Sequence, residues 1–163
     1  GELDMPDEAL RGLDLVIASI HIPYGQDRQT VTRRLIAAME HPLVDIIGHP
    51  TGRLLKGPDL YTVDVDELLR AATRTGTALE INGGPDRLDL SAGWARRARE
   101  YGVPLVIGSD AHSVQQLGWM QFGLATARRA WLEGTDVLNA LPLEEMRESL
   151  KRHRTLDCRV QRR

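Results

Sequence analysis

Four times along this chain a short apolar run gives way to a segment of helical periodicity, and that alternation limits the fold more than any other feature. "LDLVIASIH" (13–21) precedes "DRQTVTRRLIAAMEH" (27–41), and "VDIIGHP" (44–50) precedes "DVDELLRAATRTG" (64–76). "TALEINGG" (77–84) precedes "SAGWARRAREYG" (91–102), and "VPLVIGSDAH" (103–112) precedes "GWMQFGLATARRAW" (118–131). The runs are near-continuous rather than alternating, which indicates strands buried on both faces and hence a parallel sheet. Asp27, Asp64 and Ser91 stand where N-caps belong, and Gly76 and Gly102 where a left-handed residue ends a helix. In the first long helix Val31, Leu35, Ile36 and Met39 share one face. A further helix is expected over 142–154, opened by Pro142. The class is therefore α/β, either an open doubly wound sheet or a piece of a β/α barrel. In both, ligand chemistry gathers at the carboxyl ends of the strands.

Composition narrows the setting. A chain of 163 residues, 42% hydrophobic, supports a single core. Its formal charge of -2 lacks the strong basic excess typical of a nucleic-acid-binding domain, although a local basic patch is compatible with it. The single cysteine, Cys158, excludes a disulfide framework and suits a reducing compartment. No apolar run approaches the roughly 18 residues of a membrane span. The opening "GELDMPDEAL" is acidic, unlike a signal peptide. A soluble, cytoplasmic protein with no membrane partner is expected.

The strand ends carry the chemistry. The first run closes on His21, the second on His49, and the fourth on Asp110 and His112, while the third brings Glu80 and Asn82. Three of the five histidines thus fall at equivalent places in successive units. Neutral imidazole with carboxylate suits zinc, manganese or iron, and neighbouring parallel strands lie only about 4.8 Å apart. Two ions about 3.5–4 Å apart would clamp a phosphoester and activate water. No G-x-S-x-G elbow and no phosphate-binding G-x-x-x-x-G-K-[ST] loop is present. Arg53 and Lys56, in the long loop after the second strand, and Arg87, after the third, are candidate phosphate binders. The alternative is that they are solvated or pair with Asp59, Asp86 or Asp89. His41 is expected to interact with the carbonyls at its helix end, and His153 to be solvated. Cys158 lies far from the strand ends. Trp94, Trp119 and Trp131 are read as packing residues.

In order and spacing, "ASIH", "DIIGHPTGRLL", "ALEINGGPDRLDLS" and "GSDAHS" resemble the polymerase-and-histidinol-phosphatase (PHP) domain, in the form found at the C-terminus of bacterial family X DNA polymerases. The resemblance runs from about residue 4 to 154. It implies that residues 1–154 are the C-terminal portion, about four βα units, of a distorted seven-stranded β/α barrel with parallel strands, followed by a basic tail over 155–163. It also implies up to three divalent ions, manganese or zinc. His21 and His49 would bind one, Asp110 another and His112 a third. The implied activity is a manganese-dependent 3′-5′ exonuclease serving DNA repair, with abasic-site endonuclease or 3′-phosphatase activity in some members. DNA 3′ ends or abasic sites would be the substrate, held by Arg53, Lys56 and Arg87, and polymerase domains the N-terminal partner.

The family's opening histidine motif, a further histidine and a bridging glutamate in a G-x-E motif are expected to lie before Gly1, with the first part of the barrel. Glu2 is not assigned as that ligand. An incomplete metal site and unpaired first and last strands are expected of this chain. The competing functions are a small-molecule phosphatase of the histidinol-phosphate type and a non-catalytic barrel supporting a polymerase.

Overall fold

A computed structural model describes residues 2–21 and 25–151. The strands are β1 (Ile17–Ala18), β2 (Ile46–Ile47), β3 (Ala78–Asn82) and β4 (Leu105–Gly108). They form one four-stranded sheet in the order β1-β2-β3-β4. Every pairing is parallel, with Ile17 opposite Ile46, Ile47 opposite Leu79, and Asn82 opposite Gly108. The helices are α1 (Asp7–Arg11), α2 (Arg28–Glu40), α3 (Val65–Thr75), α4 (Ala92–Glu100), α5 (Met120–Arg129) and α6 (Leu143–Ser149), with 3-10 turns at Val114–Trp119, Gly134–Asp136 and Leu138–Ala140. The protein is α/β with a parallel sheet, as the alternation required.

The helix signals act locally as read. The side chains of Asp27, Asp64 and Ser91 accept hydrogen bonds from the amides of Thr30, Glu67 and Trp94. Gly76 closes α3 at φ 70°, a left-handed backbone that costs glycine little. Apolar positions of α2, α3, α4 and α5 pack with Ile47, Leu79, Ile81, Leu105 and Ile107, all on one face of the sheet. The opposite face holds a smaller cluster in which Ile46, Ala78 and Val106 meet Leu138, Leu141, Met146 and Leu150. That cluster occupies the amino-terminal half of the face. Glu80 and Asn82 stand further along the same face, toward the carboxyl ends. One end of the face is therefore filled by hydrocarbon and the other is left to polar groups.

Several expectations are corrected. The first strand is ladder-paired over only Ile17–Ala18 and the second over only Ile46–Ile47, and Ile17, at the sheet's edge, is 53% exposed. The last strand is not a bare edge. The Asn139 side chain accepts from Ile107 N at 3.0 Å and donates to Ile107 O at 2.8 Å, as a neighbouring strand would, and Leu105 bridges Val137. The helix expected over 118–131 begins at Met120 after a 3-10 turn, a common way for a helix to start. Trp131, at 72% exposure, does not pack in the core. His41 does not hold helix carbonyls: its Nδ1 accepts from Leu43 N, so its Nε2–H donates to Asp7 of α1 at 3.1 Å. His153, Cys158 and the tail over 155–163 lie outside the described residues.

Candidate active site at the strand carboxyl ends

His49 follows β2 and is buried, with a backbone φ of 31° that side-chain-bearing residues rarely adopt. Its amide donates to Glu80 Oε2 at 2.7 Å and its carbonyl accepts from the Tyr61 hydroxyl at 2.9 Å. The turn beyond it is held by the buried Asp89. The Asp89 carboxylate accepts from Thr51 N at 3.0 Å, Thr51 Oγ1 at 2.6 Å and Arg53 N at 3.2 Å. The imidazole is thus carried by a backbone fixed on both sides. Its Nδ1 is buried and, among the described residues, has no hydrogen-bond partner.

His21, exposed beyond β1, lies edge-on to His49 with ring centroids 5.4 Å apart and planes at 66°. Asp110, at φ 52°, is half-buried, and its Oδ2 lies 3.7 Å from Arg87 Nε. Arg87 Nη1 is buried and, like His49 Nδ1, has no hydrogen-bond partner among the described residues. Burial and the Arg87 charge push the His49 imidazole down to about 4, against the pull of Asp110. It is neutral near pH 7, the form that ligates metals. Burial raises the Glu80 and Asp89 carboxyls, and their hydrogen-bond donors oppose that rise.

His112 is exposed. Its Nδ1 donates to the carbonyl of Asp110 at 2.8 Å, which leaves Nε2 as the atom with a free lone pair, the arrangement metal-bound histidines adopt. His21, His49, Asp110 and Arg87 therefore share one cluster, while His112 turns back on Asp110. Arg53 ties two loops together, its Nη1 donating to Leu88 O at 2.8 Å, and Lys56 is exposed on the same loop. Two of the acids named as alternative partners for these cations hold backbone amides. Asp89 takes the backbone amide of Arg53 and Asp59 that of Leu54, whereas Arg87 pairs with Asp110.

The donor types and the unpartnered Nδ1 of His49 fit a first-row divalent ion. Among the described residues, no three His, Cys, Asp or Glu side chains group closely enough to hold one. Residue patterns missed the parts played by Glu80, Asp89 and Tyr61. Glu80 alone gave a signal, as a carboxylate inside an apolar strand.

Fold and site together define an α/β protein with a parallel sheet and a histidine-, carboxylate- and arginine-bearing cluster at the strand carboxyl ends. No family model matches the chain. Over 153 residues, 94% of its length, it is 44% identical to the DNA polymerase/3′-5′ exonuclease PolX of Bacillus subtilis, of which it spans 27%. It is 34% identical over 93% of its length to a probable phosphatase of Thermoanaerobacter sp., spanning 62% of that protein. It is 35% identical over 96% of its length to a probable phosphatase of Shewanella sediminis, spanning 65%. The chain thus spans about a quarter of the polymerase and under two thirds of each phosphatase. Exonuclease and phosphatase are names of hydrolytic enzymes.

Proposed function

We propose that this chain is a metal-dependent phosphoesterase module of the PHP type, acting on DNA 3′ ends as a 3′-5′ exonuclease in DNA repair and joined to polymerase domains. One observation carries this reading. Among the described residues, His49 and Arg87 each bring a buried nitrogen without a hydrogen-bond partner to the same strand-end cluster, one suited to a cation and the other to an anion. His21, His49, Asp110 and His112 would hold the divalent ions, manganese or zinc. Such ions, when bound, acidify a water and stabilise charge on a phosphoryl group. Arg87 binds a phosphate oxygen through the Nη1 it keeps unpaired, and Arg53 and Lys56 stand on the loop that follows His49. Neutral His49 presents its ring nitrogen at neutral pH without first losing a proton.

The sheet, with α2 to α5 on one face and the cluster at its carboxyl ends, is on this reading an arc of a distorted seven-stranded barrel. A groove of about 280 Å³ runs beside β1, lined by Leu3, Val16, Ile17, Ser19, His21 and Arg34. That is where the remaining strands of the barrel would pair, supplying further metal ligands.

The test, made on the protein carrying the remaining barrel strands and polymerase domains that this reading assigns to it, is nucleotide release from a recessed DNA 3′ end with Mn²⁺, compared with hydrolysis of histidinol phosphate, by the parent and by H49A and R87A. Mn²⁺-dependent release from DNA, lost by at least about 100-fold in H49A, is the expected result. The probable-phosphatase relatives favour a second reading, a small-molecule phosphatase, and turnover of histidinol phosphate alone would establish it. Neither activity, with Mn²⁺ or Zn²⁺, would leave a non-catalytic barrel.

A further inference from the structure

Glu80 stands at the polar end of the sheet face opposite α2 to α5, under the backbone of the metal-ligand candidate His49, yet nothing in the hydrolytic reading uses it. Its Oε2 accepts two hydrogen bonds, from His49 N at 2.7 Å and Asn82 Nδ2 at 3.2 Å. Its Oε1 is nested against Gly108, where an added methyl would overlap it. Glu80 is only 7% exposed and is boxed in by the strands on either side. His49, meanwhile, holds φ 31° immediately before Pro50, a conformation that needs support from outside the residue. Glu80 supplies that support at the amide, and the Tyr61 hydroxyl supplies it at the carbonyl.

We propose that Glu80 is a positioning residue: it fixes the His49 backbone so that the imidazole faces the strand-end cluster, and it acts purely as a hydrogen-bond acceptor. It neither ligates the ion nor moves a proton. The proposal rests on the metal-dependent reading for its effect on activity, but its structural core concerns the protein without metal.

An acceptor role has a sharp signature, because a carboxamide keeps an acceptor oxygen whereas a hydrocarbon does not. In E80Q, the Mn²⁺ affinity, read from the paramagnetic resonance of free Mn²⁺, should stay within about 3-fold of the parent. In E80L it should fall by about 10- to 100-fold, the usual effect of removing a group that orients a metal ligand. The His49 amide in the metal-free protein should keep its hydrogen-exchange protection in E80Q and lose it in E80L. Where E80L does not fold, Gly108→Ala takes its place, since it displaces the carboxylate without removing it and should weaken Mn²⁺ binding alike. Loss of Mn²⁺ affinity in E80Q as deep as in E80L would make Glu80 a ligand or proton donor and overturn the proposal. So would a His49 amide equally protected in all the variants. If the parent, carried in the protein with the remaining barrel strands, binds no Mn²⁺, the metal-dependent reading falls, and amide exchange at His49 still decides the positioning role.

Discussion

His49 and Arg87 show what burial does to single residues at this site. The imidazole is held to about 4 by desolvation and by the Arg87 charge, below its ordinary 6.5. The folded value lies below the unfolded one, so the unfolded chain takes up the proton first as pH falls. The stability tied to neutral His49 is complete above about pH 6.5 and is lost between there and about pH 4, to the extent of about 3 kcal/mol. H49Q should therefore show a shallower fall in melting temperature than the parent from pH 7 to 4; parallel curves would refute this. Arg87 presents the opposite bargain. Its buried Nη1 has no partner among the described residues, and such a donor costs about 1–3 kcal/mol of stability. R87M should melt at the same or a higher temperature than the parent while phosphate affinity falls at least about 10-fold. A large drop in melting temperature would mean that Arg87 is there for the fold.

At the scale of elements, the helix starts were legible and the sheet edges were not. Asp27, Asp64 and Ser91 cap their helices through residues three positions on, a distance that sequence spacing reads directly. Asp64 also pairs with Arg28 at 2.7 Å, and D64A should cost about 1–2 kcal/mol in chemical denaturation, most of it from the lost cap because the ion pair is exposed. Asn139 lay beyond any such reading. It serves the outer edge of β4 from 32 residues away, replacing a strand with one side-chain amide. N139A leaves both backbone groups of Ile107 without that partner and should cost about 1–3 kcal/mol. A loss under about 0.5 kcal/mol would show that water serves the edge as well.

Across the whole molecule, the sheet face opposite α2 to α5 is divided between a hydrocarbon plug and a polar site, and Lys151 anchors the plug end. Its ammonium reaches under the sheet to the carbonyl of Met39 and to Thr77 Oγ1. Burial pushes it down to about 8 from 10.5, against the pull of Asp45 and Glu40. The folded protein gives up this proton before the unfolded chain does. Stability from this group should rise as pH climbs from about 8 toward 10.5 and be lost on the way back down. Melting curves of the parent and K151M should thus diverge in the parent's favour over that window. A constant gap would place the lysine in water.

The sequence alone determined the α/β class, the parallel strands, the helix caps and the strand-end places of His21, His49, Asp110 and His112. Each of these depends on apolar periodicity or on residues a few positions apart. Only the tertiary structure decided which of those residues meet and what steadies them. His49 leans on Glu80 across 31 residues, Thr51 on Asp89 across 38, and His112 turns back on Asp110 instead of joining the histidine pair. The physical reason is that a buried polar group must find its partner wherever the fold brings one within reach. That partner is set by strand register and the burial of two faces, which local spacing does not encode.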